Sequence, residues 1–491
     1  MDAFLGVDLG TSGVKLALVG ADGIALAESE SPYQVVRRRP DWAETDPARW
    51  VEALDAAVEP IADRLRAIRL RGIGMTGQMH GAVLCDSTGR PVRPAVLWPD
   101  RRAETQLDRW RTLPPEVRDR LANPLVPGMT GPILSWLVEH EPETMARVDH
   151  VLLPKDHLRR MIGGGAGTDR TDASATLLWD VVGDDWSTAA VAGTGVPAGW
   201  LPPVVAPDTV VGQSTWLADR LGLPAREVPV VAGAGDTPAA LLAVSTASTD
   251  PAATQINLGT GAQVLRRIAE PYPVAAPTTH LYAAADHGWY AMAAVQNAGL
   301  ALDWAIRVLG LSWPELVAAV RSTPAGAGGV SFLPFLTGER GGLARPTSHG
   351  GWLGLRAGTS RAELARAALE AMVFVVRRAA ELLGPVGPAV RLTGGGGREP
   401  LVRQLIADSL GVLVLRTEVR SASATGAAAL AAQAVGTPLA VRPSSQASTT
   451  PTATIEPATI TEPAAIIEPR PNEALDESYR RWRDRIPAAD A

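Results

Sequence analysis

A single cysteine, Cys85, in 491 residues rules out an internal disulfide. Set in the apolar context VLCD, Cys85 reads as a small buried hydrophobe rather than a nucleophile. No apolar run is long enough to span a bilayer. The N-terminus enters a strand pattern directly, without the basic segment and apolar stretch of a secretory leader. A soluble, cytoplasmic protein is the expectation. Charge of one sign is also scarce: 46 Lys and Arg against 52 Asp and Glu leave a net −6 and a pI near 5.8. That balance exerts no general pull on nucleic acid or an anionic membrane, so an anionic ligand has to be held by a local site. A Walker-type phosphate loop is absent too, because no GK[ST] follows the glycine-bearing turn near the N-terminus.

What is present is globular: 46% hydrophobic and 20% charged residues. The length exceeds one ordinary core, and two domains of similar size are expected. Amphipathic helical patterns alternate with β-rich runs at Gly72–Met75, Val228–Ala232, Thr254–Leu258 and Ala389–Leu392, which implies α/β layering. VPVVAGAGDTPAALLA reads as a strand, a glycine-rich turn and a helix near the middle of the chain. The domain junction is placed just behind it, giving 1–243 and 244–491. From Arg442 to Pro471 three imperfect I-E-P or T-E-P units sit among Thr, Pro and Ala, a composition expected to form a flexible surface insertion. Asn472–Ile486 returns to a charged helical pattern.

Five glycine-bearing turns carry the chemistry. In FLGVDLGTSGVKLALVGADG, two apolar runs flank a tight turn where Gly10 and Gly13 let backbone N–H groups converge on anionic oxygens. Thr11 and Ser12 add hydroxyl donors there. Asp8 at the lip can hold Mg²⁺ against phosphates. Lys15, on the departing strand, either neutralises phosphate or faces solvent. INLGTGAQV repeats the logic with Gly259 and Thr260, so two such hairpins could clamp a triphosphate from opposite sides. LTGGGGREPLVRQLIADSLG places Gly395 and Gly396 between a strand and a helix, where a flat base or ribose can approach backbone closely. GAGDT puts Asp236 and Thr237 at a helix start, as an N-cap or as a cleft carboxylate. In GIGMTGQMHGAVLCD, a loop presents Gln78, Met79 and His80 between glycines, polar and thioether groups of the kind a polyol site needs.

DLGTSGVK, DWAETDPARW, GQMHG, LPKDHLRR, TDASATLLWDV, GAGD, FLPFLTGER and GGGGREPLVRQLIADSLG together resemble the FGGY carbohydrate kinases, with GQMHG similar to the xylulokinase branch. The resemblance covers nearly everything except the Thr/Pro-rich tract. It implies two actin-like, ribonuclease H-like domains closing on ATP and sugar, Asp236 as general base, Asp8 as the metal-associated aspartate, and Gln78, Met79, His80 and Thr237 at the sugar. It further implies Gly10, Thr11, Ser12, Gly259, Thr260, Gly395 and Gly396 at ATP, Mg²⁺ as cofactor, and a possible homodimer. The reaction so implied is phosphorylation of D-xylulose to D-xylulose 5-phosphate. Three departures leave the sugar open: Thr237 and Pro99 stand where the branch usually has Asn, and Gly341-Gly342 follow GER in place of Thr-Pro. Another ketose, polyol or cyclitol remains an alternative substrate, and a non-catalytic sugar sensor an alternative role. An actin-like or chaperone ATPase is disfavoured by GQMHG.

Overall fold

The computed structural model describes residues 1–246, 254–339, 341–345, 347–441 and 466–486. Its first half is built on one mixed sheet. The strands are β1 (Asp2–Leu9), β2 (Gly13–Gly20), β3 (Ala25–Pro32), β4 (Arg69–Gly77), β5 (Val210–Ser214), β6 (Val228–Val231) and β7 (Ala234–Gly235). They lie in the order β5-β6-β4-β1-β2-β3, with β7 also paired to β4. β1 runs antiparallel to β2 and parallel to β4, which sets Asp8 opposite Lys15 on one side and Thr76 on the other. From Ala3 onward β1 is buried throughout, the continuous apolar run of a strand covered on both faces. Edge strand β3 alternates and is half exposed.

Helices position the rest of this half: α1 (Ala48–Val58) against β2, then α2 (Pro154–Met161), α3 (Arg170–Ala173) and α4 (Asp236–Thr246). Asp169 caps α3 by accepting from the backbone of Thr171 and Asp172.

The second half repeats the plan with β8 (Thr254–Leu258), β9 (Ala262–Ile268), β10 (His280–Ala283), β11 (Trp289–Val295), β12 (Ala389–Thr393), β13 (Leu413–Arg416) and β14 (Ile466–Ile467). Their order is β10-β11-β9-β8-β12-β13-β14. β8 is antiparallel to β9 and parallel to β12, as β1 is to β2 and β4. The expected α/β architecture of two units is therefore what is observed. Helices α5 (Gly299–Val308), α6 (Arg361–Leu382), α7 (Pro400–Leu410), α8 (Ala422–Ala434) and α9 (Glu473–Arg483) complete it. Ser360 and Glu363 form a capping box that starts the long, largely buried α6. Trp482 of α9 is buried in the second core, and its indole N–H donates to the Phe332 carbonyl at 2.8 Å.

Helix α8, mostly Ala, lies on the first sheet rather than the second. A Cβ at Gly6 would stand 1.7 Å from the Ala424 carbonyl oxygen, and one at Gly74 1.8 Å from that of Ala427. On the helix side, a Cβ at Gly426 would come within 1.9 Å of the Ala239 carbonyl oxygen in α4. Glycine at these points is what lets strand, helix and helix meet backbone to backbone.

The Thr/Pro-rich tract needs one correction. Ile466 and Ile467, in its last I-E-P copy, are not part of a flexible insertion: they form β14, paired antiparallel with β13. Gln404 and Asp408 of α7 secure the following residues, through the Glu468 carbonyl at 2.9 Å and the Arg470 N–H at 2.7 Å. Two adjacent isoleucines and an open sheet edge outweigh the composition of the tract as a whole. The rest of that expectation, from residue 442 to residue 465, lies outside the described residues.

Candidate active site

The turn after β1 is held by side chains that reach it from outside. The Tyr33 hydroxyl and the Gln78 side-chain amide both donate to the Gly10 carbonyl, the latter at 3.4 Å, and Gln78 also donates to the Tyr33 hydroxyl at 3.1 Å. The Tyr33 N–H takes the Ser12 carbonyl at 3.0 Å. Because a trans peptide points its C=O and N–H in opposite directions, the N–H groups of Thr11 and Gly13 are turned away from these supports. The Trp98 indole donates to the Thr11 hydroxyl at 2.8 Å, which leaves that hydroxyl's own proton to be given to a ligand. This is the geometry of an anion cradle.

The second turn is built alike. Gly299 and Leu300, at the start of α5, donate to the carbonyls of Gly259 and Thr260 at 3.2 and 2.8 Å, so the N–H groups of Thr260 and Gly261 point away from α5. Upstream of α5 the buried Glu339 carboxylate accepts from the backbone N–H groups of Gln296 and Asn297, at 2.9 and 3.1 Å, and from the Asn297 amide at 3.1 Å. The four-glycine turn before α7 leans on the base of the same hairpin. A Cβ on Gly394 would meet the Leu258 carbonyl oxygen at 2.4 Å and one on Gly396 the Leu258 side chain at 2.6 Å, whereas Gly395 faces open space. Gly259, Thr260, Gly395 and Gly396 are thus brought to one place.

Two carboxylates define the centre. Asp8 is buried at the end of β1, and its Oδ1 has no hydrogen-bond partner. Burial, reinforced by the charge of Asp236, pushes its pKa up to about 7. An orphaned, desolvated carboxylate oxygen beside a phosphate cradle fits a hard divalent cation. Asp236 opens α4; burial raises it to about 6, against the lowering effect of hydrogen bonds from Thr237. Both of those bonds, from the Thr237 N–H at 2.6 Å and its hydroxyl at 3.2 Å, fall on Oδ1. Oδ2 is the oxygen left to take a proton.

Around Asp236 the two halves meet. Met79 packs where a Cβ on Gly235 would stand, 2.6 Å from the Met79 Cγ, and its sulfur lies 4.0 Å from the Tyr290 hydroxyl of β11. His80 has a positive φ of 67° and donates from Nδ1 to the Ala175 carbonyl at 2.5 Å. Its ring lies 6.1 Å from that of Tyr282 in β10.

Comparison with known proteins identifies the frame. Residues 3–243 match the N-terminal domain, and 254–435 the C-terminal domain, of the FGGY family of carbohydrate kinases. The chain belongs to that family. Its relatives include the xylulose kinase of Escherichia coli strain K12, 35% identical over 437 residues, covering 87% of this chain and 89% of that protein. The glycerol kinase of Alkalilimnicola ehrlichii is 33% identical, covering 92% and 93%. The crystal structure of a "xyloylose kinase" from Brucella ovis superposes with a TM-score of 0.86 at 30% identity, over 98% of each chain. The paired sheets of this FGGY kinase are the family's actin-like ATPase fold, and the family's members are ATP-dependent phosphotransferases. No helix among its described residues is long and apolar enough to cross a membrane.

Within the FGGY kinase, Gln78 does not stand with Met79 and His80. Its amide braces the Gly10 turn and its side chain is buried. Thr237 turns its hydroxyl onto Asp236. Lys15 is half exposed and lies 3.8 Å from Glu30. Tyr33, Trp98, Tyr290 and Glu339 were not anticipated from the residues. Of these only Glu339, inside FLTGER, lay in a quoted motif without a role.

Proposed function

We propose that this FGGY kinase transfers the γ-phosphoryl group of ATP to a primary hydroxyl of D-xylulose, giving D-xylulose 5-phosphate and ADP. The observation that carries the reading is Asp236. Its Oδ2 is clear of the Thr237 bonds, its affinity for protons is raised by burial, and it adjoins Met79 and the charge of Asp8. Asp236 Oδ2 accepts the hydroxyl proton as the sugar oxygen bonds to the γ-phosphorus and the bond from that phosphorus to the β–γ bridging oxygen breaks. The N–H groups of Thr11 and Gly13, and of Thr260 and Gly261, receive the phosphate oxygens from the two halves. Gly395 and Gly396 leave room for the adenosine. A Mg²⁺ ion held at Asp8 would neutralise phosphate charge. Met79 and His80 line the sugar. The units meet at the boundary between residues 243 and 244, and α8 couples them across the first sheet.

The sequence similarity to xylulose kinases supports D-xylulose; the similarity to a glycerol kinase and the substitutions at Thr237, Pro99 and Gly341-Gly342 favour, as second reading, another ketose or polyol. Phosphorus and carbon NMR of the product discriminates them. A phosphate on C5 of xylulose, formed faster than any other sugar phosphate in a mixed pool, supports the first. Preferential phosphorylation of another acceptor supports the second.

A further inference from the structure

Two segments with no assigned role, LPKDHLRR and TDASATLLWDV, meet beneath Asp236. Lys155 of α2 is fully buried, its Nζ 2.6 Å from Asp156 Oδ1, 2.6 Å from Asp169 Oδ2 and 3.0 Å from Asp172 Oδ2. Arg159 adds a second cation, 2.6 Å from Asp156 Oδ1. The three carboxylates lie close enough together to hold a metal ion, but the Lys155 ammonium is the cation they surround. Burial raises Asp172 to about 8, and with its proton retained two carboxylates face two cations.

The cluster is tied to the turn that delivers Asp236. Asp169 Oδ1 accepts the Thr171 hydroxyl proton at 2.5 Å, which directs a Thr171 lone pair to the Gly235 N–H at 2.8 Å. Arg159 donates to the Ala232 carbonyl at 2.6 Å. Both ends of the Ala232–Gly235 turn are therefore fixed to one buried cluster. That turn contains Gly233 at φ +84°, where a Cβ would stand 1.9 Å from the Met75 carbonyl oxygen. A turn with two glycines has the most freedom to lose, and it immediately precedes the carboxylate whose placement sets the reaction. Five buried ionisable groups are a poor device for stability alone, since well-packed apolar residues do as well or better.

We infer that Lys155, Asp169 and Thr171 are positioning residues, a relay that fixes the Gly235 amide and through it the Asp236 carboxylate. This rests on the reading of Asp236 as the base. The test is Thr171→Val, which keeps the shape and all five ionisable groups but removes the hydroxyl, beside Thr171→Ser, which restores it. Each is assayed for kcat, for KM of ATP and of the acceptor that the unaltered protein turns over best, and for thermal midpoint. The expectation is a kcat lowered by about tenfold to a hundredfold in Thr171→Val, KM of ATP within about twofold, and recovery to within about threefold in Thr171→Ser. A Thr171→Val protein with unaltered kcat and a lowered thermal midpoint makes Thr171 merely structural and overturns the relay, as does a Thr171→Ser protein no better than the valine. If the unaltered protein shows no acceptor-stimulated turnover at all, the reading of Asp236 fails first and the relay falls with it.

Discussion

Asp236 and Asp8 have raised pKa values for related reasons, and each shift carries a sign that can be measured. A general base works ionised, so activity should be full above the Asp236 value and fall as pH drops through about 6. The kcat/KM profile of the purified kinase is expected to show an acid limb near that pH; a profile flat down to pH 5 would remove Asp236 from the base role. Asp8 binds a proton more tightly in the folded chain than in the unfolded one, so the stability it contributes at low pH is lost as pH rises from the ordinary carboxylate value toward about 7. On the proposed reading, a divalent cation would take the proton's place. The rise in thermal midpoint on adding Mg²⁺ with ADP should therefore grow between pH 6 and pH 8, and Asp8→Asn should abolish that growth. Both carboxylates were legible in the sequence, because a carboxylate beside a glycine turn is a local pattern. The bracing of the Gly10 turn by Gln78 was not legible, because only the fold brings Tyr33 and Gly10 beside its amide. Thr171 and Lys155 were quoted without a role because their partners are distant in the chain: the Gly235 amide that Thr171 reaches is 64 residues beyond it, and Lys155 pairs with Asp169 and Asp172.

At the scale of elements, glycine has two uses here that the sequence does not separate. Gly74 is a close-approach position: an added methyl group would overlap the Ala427 carbonyl at 1.8 Å and force strand β4 off helix α8. Gly74→Ala should lower stability by about 3 kcal/mol in urea titration. Gly395 has nothing within 4 Å of a built Cβ. Gly395→Ala should leave the urea midpoint unchanged and raise KM for ATP, and the opposite ranking of the two variants would mean that the role of the four-glycine turn has been misread. Strand-turn-strand hairpins were legible because apolar runs bracket glycine within a dozen residues. β14 was not, since its two isoleucines belong to a tract whose average composition argues against order. The seating of α8 on the first sheet was not legible either, because an Ala/Gly helix has no apolar stripe to mark which sheet it covers.

As a whole molecule, the chain uses one sheet plan twice and places a glycine-bearing turn at the end of the same strand, β1 or β8, in each copy. Repetition of this kind leaves little sequence repeat beyond the Leu-Gly-Thr of the two turns, because mainly the hydrogen-bond register and the turn recur. Bonds from Tyr290 to Met79 and from Asn123 to the Leu281 strand edge run between the halves, so on the proposed reading the acceptor site is assembled from both. Such a site should turn over ATP slowly until an acceptor fills it and completes the constellation. The most direct test of the central claim is ADP release from Mg-ATP, with and without D-xylulose, for the unaltered chain beside Asp236→Asn. Sugar-stimulated release is expected, falling by about 10²-fold to 10⁴-fold in the variant while ATP still binds. Release that is indifferent to D-xylulose and to every ketose and polyol tried, or that survives in Asp236→Asn, would contradict it.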